Sequence, residues 1–279
     1  MSGAETTQNR VLADHYDSPL IESASEAPGP RENPGELVNW PMLKVSYRTD
    51  KDRIASLLPP GLEPDDSSLV LVTFYNVPIQ AAPEYGIAIN VAANYRGTAG
   101  EYTLGIGINQ ETVIYPSKER WGQPKFFADT QYWRLGSRVE ARTTHYGHTF
   151  AEFVGEVVGQ QAPPPEAEQR EFWVKYLRDV DLTPGRYDFP PHYVNVYSKY
   201  GTAFLEKLEG ELVLREPKWD PIATLLPKRE QVSAHLWTPI FLDREITLGD
   251  PIDPDKFWPF ADTIGGSRWP GENGAPPVG

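Results

Sequence analysis

Apolar and polar residues alternate in short blocks over much of this chain, and a period of two marks half-buried strands. Val38 to Tyr47 reads as a first strand. Thr49 or Asp50 then caps a short helix with Ile54, Leu57 and Leu58 at helical spacing, and Pro59-Pro60-Gly61 stops it. Leu69 to Val77 is a strongly apolar strand. Gly86 to Tyr95 and Glu101 to Asn109 flank Arg96-Gly97-Thr98-Ala99-Gly100, which reads as a hairpin loop. Arg138 to Thr144 pairs with Thr149 to Val158 across His145-Tyr146-Gly147-His148. Phe172 to Leu177 fits a strand or a short amphipathic helix equally well. Leu212 to Arg215 and Leu236 to Leu248 supply late strands, and a short helix fits Lys228 to Val232. Many short strands, frequent turns and few helices predict a mainly β (β-rich α+β) fold, an antiparallel sandwich or barrel.

The ends differ from the middle. Residues 1–36 form a polar arm in which Pro28-Gly29-Pro30 and Pro34-Gly35 break regular structure. Such a segment is disordered alone, or ordered by wrapping a neighbouring subunit. Residues 265–279 are a Gly/Pro-rich tail, and 37–264 read as a single domain with no internal repeat or linker. The opening thirty residues hold no apolar stretch of the signal-peptide kind, and no run reaches the length of a membrane span. A cytoplasmic protein is therefore expected. A net charge of −13 argues against nucleic acid and anionic membranes as partners. There is no cysteine, so disulfides and thiolate chemistry are excluded.

Chemistry concentrates in Ser117-Lys118-Glu119-Arg120-Trp121-Gly122-Gln123-Pro124-Lys125. Lys125 stands between a rigid proline and Phe126-Phe127. It reads either as a surface lysine snorkelling over core phenylalanines or as a desolvated lysine whose amine is free near neutral pH. A free amine attacks carbonyls and forms a Schiff base. Other signals are weak. His145 and His148 straddle a glycine turn with no carboxylate or cysteine at zinc spacing, so no metal is expected. Gly105-Ile106-Gly107 lacks the third glycine of a dinucleotide fingerprint. No Gly-x-Ser-x-Gly elbow supports acyl-enzyme hydrolysis.

The nonamer resembles the signature of the acetoacetate decarboxylase superfamily, in which a Gly-Arg-Glu triplet precedes three variable residues, an aromatic, Pro and the Schiff-base Lys. Ser117-Lys118-Glu119 stands in for the triplet, Gln123 for the aromatic and Pro124-Lys125 for the reactive end. The similarity runs upstream to Gly100-Glu101-Tyr102, is followable from Trp40 through Tyr47-Arg48-Thr49-Asp50, and returns in Asp220-Pro221-Ile222 to Leu226-Pro227. The resemblance implies a closed, cone-like β-barrel with the reactive lysine inside, no cofactor and a homo-oligomer. It also implies a catalytic pair, Lys125 with Glu84 as the group that moves protons; Glu84 otherwise reads as an exposed turn residue. Glu119, Trp121, Tyr85 and Trp40 are implied as substrate-binding.

Two departures stand out. The family's namesake decarboxylases carry a second lysine after the reactive one, a neighbouring cation known to lower the amine's pKa; here Phe126 takes that position. The family's early arginine, a carboxylate contact, falls on Trp40. Burial must then tune Lys125, and a larger or more apolar oxo compound than acetoacetate is expected. The resulting expectation is a cofactor-free Schiff-base lyase that decarboxylates a β-oxo acid. Aldol or dehydration chemistry through the same imine, or a non-catalytic binder of an oxo acid or ketone, are the alternatives.

Overall fold

The computed structural model describes residues 36–37, 41–79, 82–217 and 219–261. Trp40, most of the N-terminal arm and the whole C-terminal tail lie outside them. The chain begins with β1 (Glu36–Leu37), β2 (Met42–Arg48), helix α1 (Lys51–Leu57), β3 (Leu62–Pro64), β4 (Leu69–Ile79), β5 (Ala82–Tyr95) and β6 (Thr98–Ile108). Helix α2 (Glu111–Trp121) and the short β7 (Lys125–Phe127) follow. Then come β8 (Asp129–Leu135), β9 (Arg138–His145), β10 (His148–Gln161), β11 (Ala167–Arg178) and β12 (Tyr187–Leu214). Helix α3 (Ile222–Leu225), β13 (Glu230–Pro251) and helix α4 (Pro254–Ala261) complete it.

Strands β13-β2-β4-β5-β6-β11-β12 are neighbours in that order, and β12 pairs again with β13, so they close into a ring. Every pairing around it is antiparallel except β6 with β11. The second half of β12 leaves the ring and carries β10, β9 and β8 as an outer layer. The mainly β, barrel-like expectation is met.

The period-two pattern sorts the side chains onto two faces. Leu43, Val45 and Tyr47 of β2, Val70, Val72 and Phe74 of β4, and Ile87, Ile89, Val91 and Ala93 of β5 are almost fully buried in one core. Tyr132, Phe150, Phe153 and Phe126 join that core from other elements. Each such side chain contributes about 1.5–3 kcal/mol on burial. The intervening positions, among them Glu84, Ala88 and Asn90 of β5 and Lys44 of β2, face the inside of the ring. Charges there act on one another across it, as Lys44 of β2 does on Glu171 of β11.

Local chemistry explains where sequence and structure differ. The Arg96-Gly97 and Tyr146-Gly147 turns both have positive φ at their two residues (51° and 79°, 48° and 78°), the mirror-image turn whose twist matches paired strands. The first hairpin loop is therefore shorter than expected, because Thr98, Ala99 and Gly100 pair with Tyr95, Asn94 and Ala93. Phe172 to Leu177 lies within β11, where Phe172, Trp173 and Val174 are successively buried, so both faces of the strand are covered. The helix expected over Lys228 to Val232 is not there. The chain enters β13 at Glu230 to pair with β2, and the helical turn falls at Ile222–Leu225, whose Ile222 and Leu225 are buried. Long-range pairing overrides local propensity.

The sequence pattern does not announce helix α2. It contains Pro116 and buries only Ile114 and Ser117, so it has no apolar stripe to read. Its end was the available signal: Lys118 and Arg120 in the last turn, then Gly122 at φ 69°. A Cβ on Gly122 would lie 2.4 Å from the Val174 carbonyl oxygen. Gly122→Ala is thus expected to cost at least about 2 kcal/mol from left-handed strain and overlap. It should lower the melting temperature by roughly 5 °C. An unchanged melt would mean that this turn is not built as described.

Candidate active site

Lys125 is set in place by what precedes it. The N–H of Gly122 bonds the carbonyls of Lys118 and Ser117 and ends α2. Pro124 disfavours a helical conformation at Gln123, and the Pro124 carbonyl accepts from the Ile106 N–H at 3.1 Å. The chain then runs parallel to β6, with Lys125 opposite Ile106 and Phe126 opposite Gly107. Alternation sends the two side chains to opposite faces. Phe126 is buried in the main core, edge-on to His145 with centroids 5.2 Å apart. Lys125 points to the ring's inner face, with 9% of its side chain exposed.

Lys125 Nζ lies 3.5 Å from Oε2 of Glu84, whose side chain is 4% exposed. The approach is close enough for an ion pair and slightly long for a good hydrogen bond. Glu84 Oε1 accepts a 3.0 Å bond from the Tyr75 hydroxyl. Tyr75 reaches it because Gly86 stands opposite on β5; a Cβ there would lie 2.4 Å from the tyrosine ring. Burial lowers the Lys125 pKa below the usual lysine value, the Glu84 carboxylate opposes that shift, and the Arg244 guanidinium adds to it. Burial and the neighbouring Glu84 charge push the Tyr75 hydroxyl well above its ordinary value, so it stays a donor.

A second polar group lines the same inner face. Glu171 accepts from Asn90 at 3.4 Å and Thr103 at 3.5 Å, and Asn90 also donates to Glu101 at 2.7 Å. Trp173 Nε1–H donates to Thr103 at 3.1 Å. Burial raises the Glu171 carboxyl, while Arg244 pulls it down.

The other residues expected at the site fall into different places. Trp121 packs on Trp173, Val194 and Val196, which share the inner face with Glu171 and Ser198, beneath the Arg120 guanidinium at 4.9 Å. Glu119 is exposed on α2. Tyr85 is half-buried against the main core, and Asn109 brackets its backbone by accepting from its N–H and donating to its carbonyl. Trp40 lies outside the described residues. Of the two histidines weighed as ligands, His145 is buried and bonded to Asp220 at 2.7 Å. Among the described residues no three His, Asp or Glu side chains gather as a metal site. Tyr75, Asn90, Glu171, Ser198 and Arg244 were missed, since each is an unremarked polar residue within a strand.

Fold and site together define a β-ring protein with a buried lysine–carboxylate pair on its inner face. The acetoacetate decarboxylase family model matches residues 17–250, and the chain belongs to that family. It is 33% identical over 189 residues to an acetoacetate decarboxylase of Paraburkholderia phytofirmans, covering 62% of this chain and 69% of that one. It is 35% identical over 99 residues to one of Burkholderia mallei, a match spanning 34% of this chain and only 39% of that relative's length. A crystal structure of acetoacetate decarboxylase from Legionella pneumophila superposes with a TM-score of 0.66 at 17% identity, over 90% of this chain and 98% of that one. MppR, an enzyme of enduracididine biosynthesis, complexed with pyruvate, superposes with a TM-score of 0.61 at 16% identity, over 74% of this chain and 87% of that one. At these identities the two structures speak for the fold. Among the described residues no helix is long and apolar enough to cross a membrane.

Proposed function

We propose that the protein is a cofactor-free Schiff-base lyase that decarboxylates a β-oxo acid through an imine on Lys125. The observation that carries this reading is the nearly buried Lys125 amine 3.5 Å from the buried Glu84 carboxylate. The free amine attacks the ketone carbon, and water leaves as the imine forms. The protonated imine takes up the electron pair of the breaking C–C bond as carbon dioxide departs, leaving an enamine. Protonation at carbon and hydrolysis return the amine and release a ketone. Glu84, steadied by Tyr75, moves the protons between these states.

Position 126 favours a second reading. No cation directly follows Lys125 in the chain, which removes a feature of the namesake decarboxylases. The same imine then serves aldol or dehydration chemistry on an oxo acid, a use compatible with the pyruvate bound to the similarly folded MppR.

Borohydride reduction with acetoacetate, followed by intact mass and peptide mapping, tests both. Adduct should form on Lys125 and vanish in Lys125→Ala and in Lys125→Arg, which keeps a cation opposite Glu84. Carbon dioxide release separates decarboxylation from the second reading. Adduct confined to Lys118, whose amine is also held low by burial and by Arg178, would move the site. No adduct with acetoacetate or longer oxo acids would leave a non-catalytic binder.

A further inference from the structure

Residue 126, next to the reactive lysine, carries no charge, so an acid group bound beside Lys125 calls for a cation on another strand. Arg244 is placed for that. In the register of the ring it lies directly opposite Ser198 on β12, which in turn lies opposite Gln169 on β11. All three strands put polar side chains on the inner face at this level. The Ser198 hydroxyl, fully buried, accepts a 3.0 Å bond from Arg244 Nε and fixes the plane of the guanidinium. Arg244 Nη2 lies 3.6 Å from Glu171 Oε2, an ion pair too long for a hydrogen bond. The Glu171 carboxylate is held from its other oxygen by Asn90 and Thr103. With Nε engaged, the planar fork still presents Nη donors, and 35% of the side chain is exposed, where Lys125 has 9%. Its charge also adds, after burial, to holding the Lys125 amine below the usual lysine pKa.

We propose that Arg244 is the carboxylate anchor of the Lys125 site, binding the acid group of an oxo acid while its ketone meets the amine. Glu171 acts as the resident counter-charge that the incoming carboxylate relieves. The specificity is then for anionic ketones over neutral ones of the same size. The inference rests on the oxo-acid reading above, and the two can fail separately.

The test pairs 4-oxopentanoate, which does not lose carbon dioxide readily, with neutral 2-pentanone. Reductive trapping on Lys125 is measured for both ketones, and binding of 4-oxopentanoate without reductant by calorimetry. The wild type should prefer the anion, and Arg244→Gln should reduce that preference on the order of tenfold or more, the scale of a lost charge-assisted hydrogen bond. Arg244→Lys, which keeps the charge but not the fork, should fall between. Ser198→Ala should weaken anion binding with little effect on trapping of 2-pentanone. Melting curves establish that each variant is folded. Loss of anion binding in Arg244→Gln with no imine in any variant would uphold the anchor and overturn the imine. A trapping ratio and affinity unchanged in folded Arg244→Gln, or no preference for the anion in the wild type, would overturn the anchor and leave the imine standing.

Discussion

Glu84→Gln is expected to cut turnover of a 3-oxo acid by roughly 100- to 10,000-fold, the usual range for loss of a positioned general acid–base group. Trapping on Lys125 should survive, because the nucleophile is intact. The amide keeps the size of the side chain and can still accept from Tyr75. What it loses is the negative charge 3.5 Å from Lys125 Nζ. That charge favours the ammonium and works against desolvation. Without it the Lys125 pKa moves further down, so the pH midpoint for trapping should shift to lower pH in the variant. The sign matters: a lysine reacts only as the free amine, so reactivity rises with pH through the folded-state pKa. A midpoint moving upward would mean that Glu84 acts on the amine through something other than its charge. Full turnover in a folded Glu84→Gln would remove Glu84 from proton transfer.

How much of this site could be read beforehand follows from the range of the interactions that build it. Lys125 was visible because Pro124, Lys125 and Phe126 are adjacent and their spacing matches a known signature. Glu84 came from the same resemblance, whereas a turn-like Pro-Glu-Tyr-Gly segment suggests exposure. The structure buries it because β4 and β5 extend as far as Ile79 and Ala82 and carry Glu84 into the sheet, opposite Val77. The strands were legible wherever one face is apolar and the other polar, as in β2 and β9. Helix α2 was not, since its turns are fixed by a C-terminal glycine and by contact with β11 rather than by an amphipathic pattern. Arg244, Ser198, Asn90 and Glu171 come from four strands far apart in sequence. Only ring closure through β12 and β13 puts them on one face, and no local pattern encodes that closure.

Phe126→Lys, which restores the residue found in the namesake decarboxylases, is expected to destabilise the fold by roughly 3–5 kcal/mol, with a fall in melting temperature of about 10 °C or more. Phe126 is 8% exposed and sits in the main core with Ala128 and Ile87. An ammonium in that position would be stripped of water among buried apolar side chains. His145, its aromatic neighbour, is already bonded to Asp220. The two faces of β7 also separate positions 125 and 126, so a folded variant should show no downward shift in the trapping midpoint. Like-charge repulsion requires the new cation to share the inner face with the amine. A variant that melts like the wild type and traps at clearly lower pH would place residue 126 beside Lys125 and reverse the assignment of faces. Heavy destabilisation with an unmoved midpoint would instead leave burial and Arg244, opposed by Glu84, as the tuning of this amine, in a chain where the position after the reactive lysine has been given to the core.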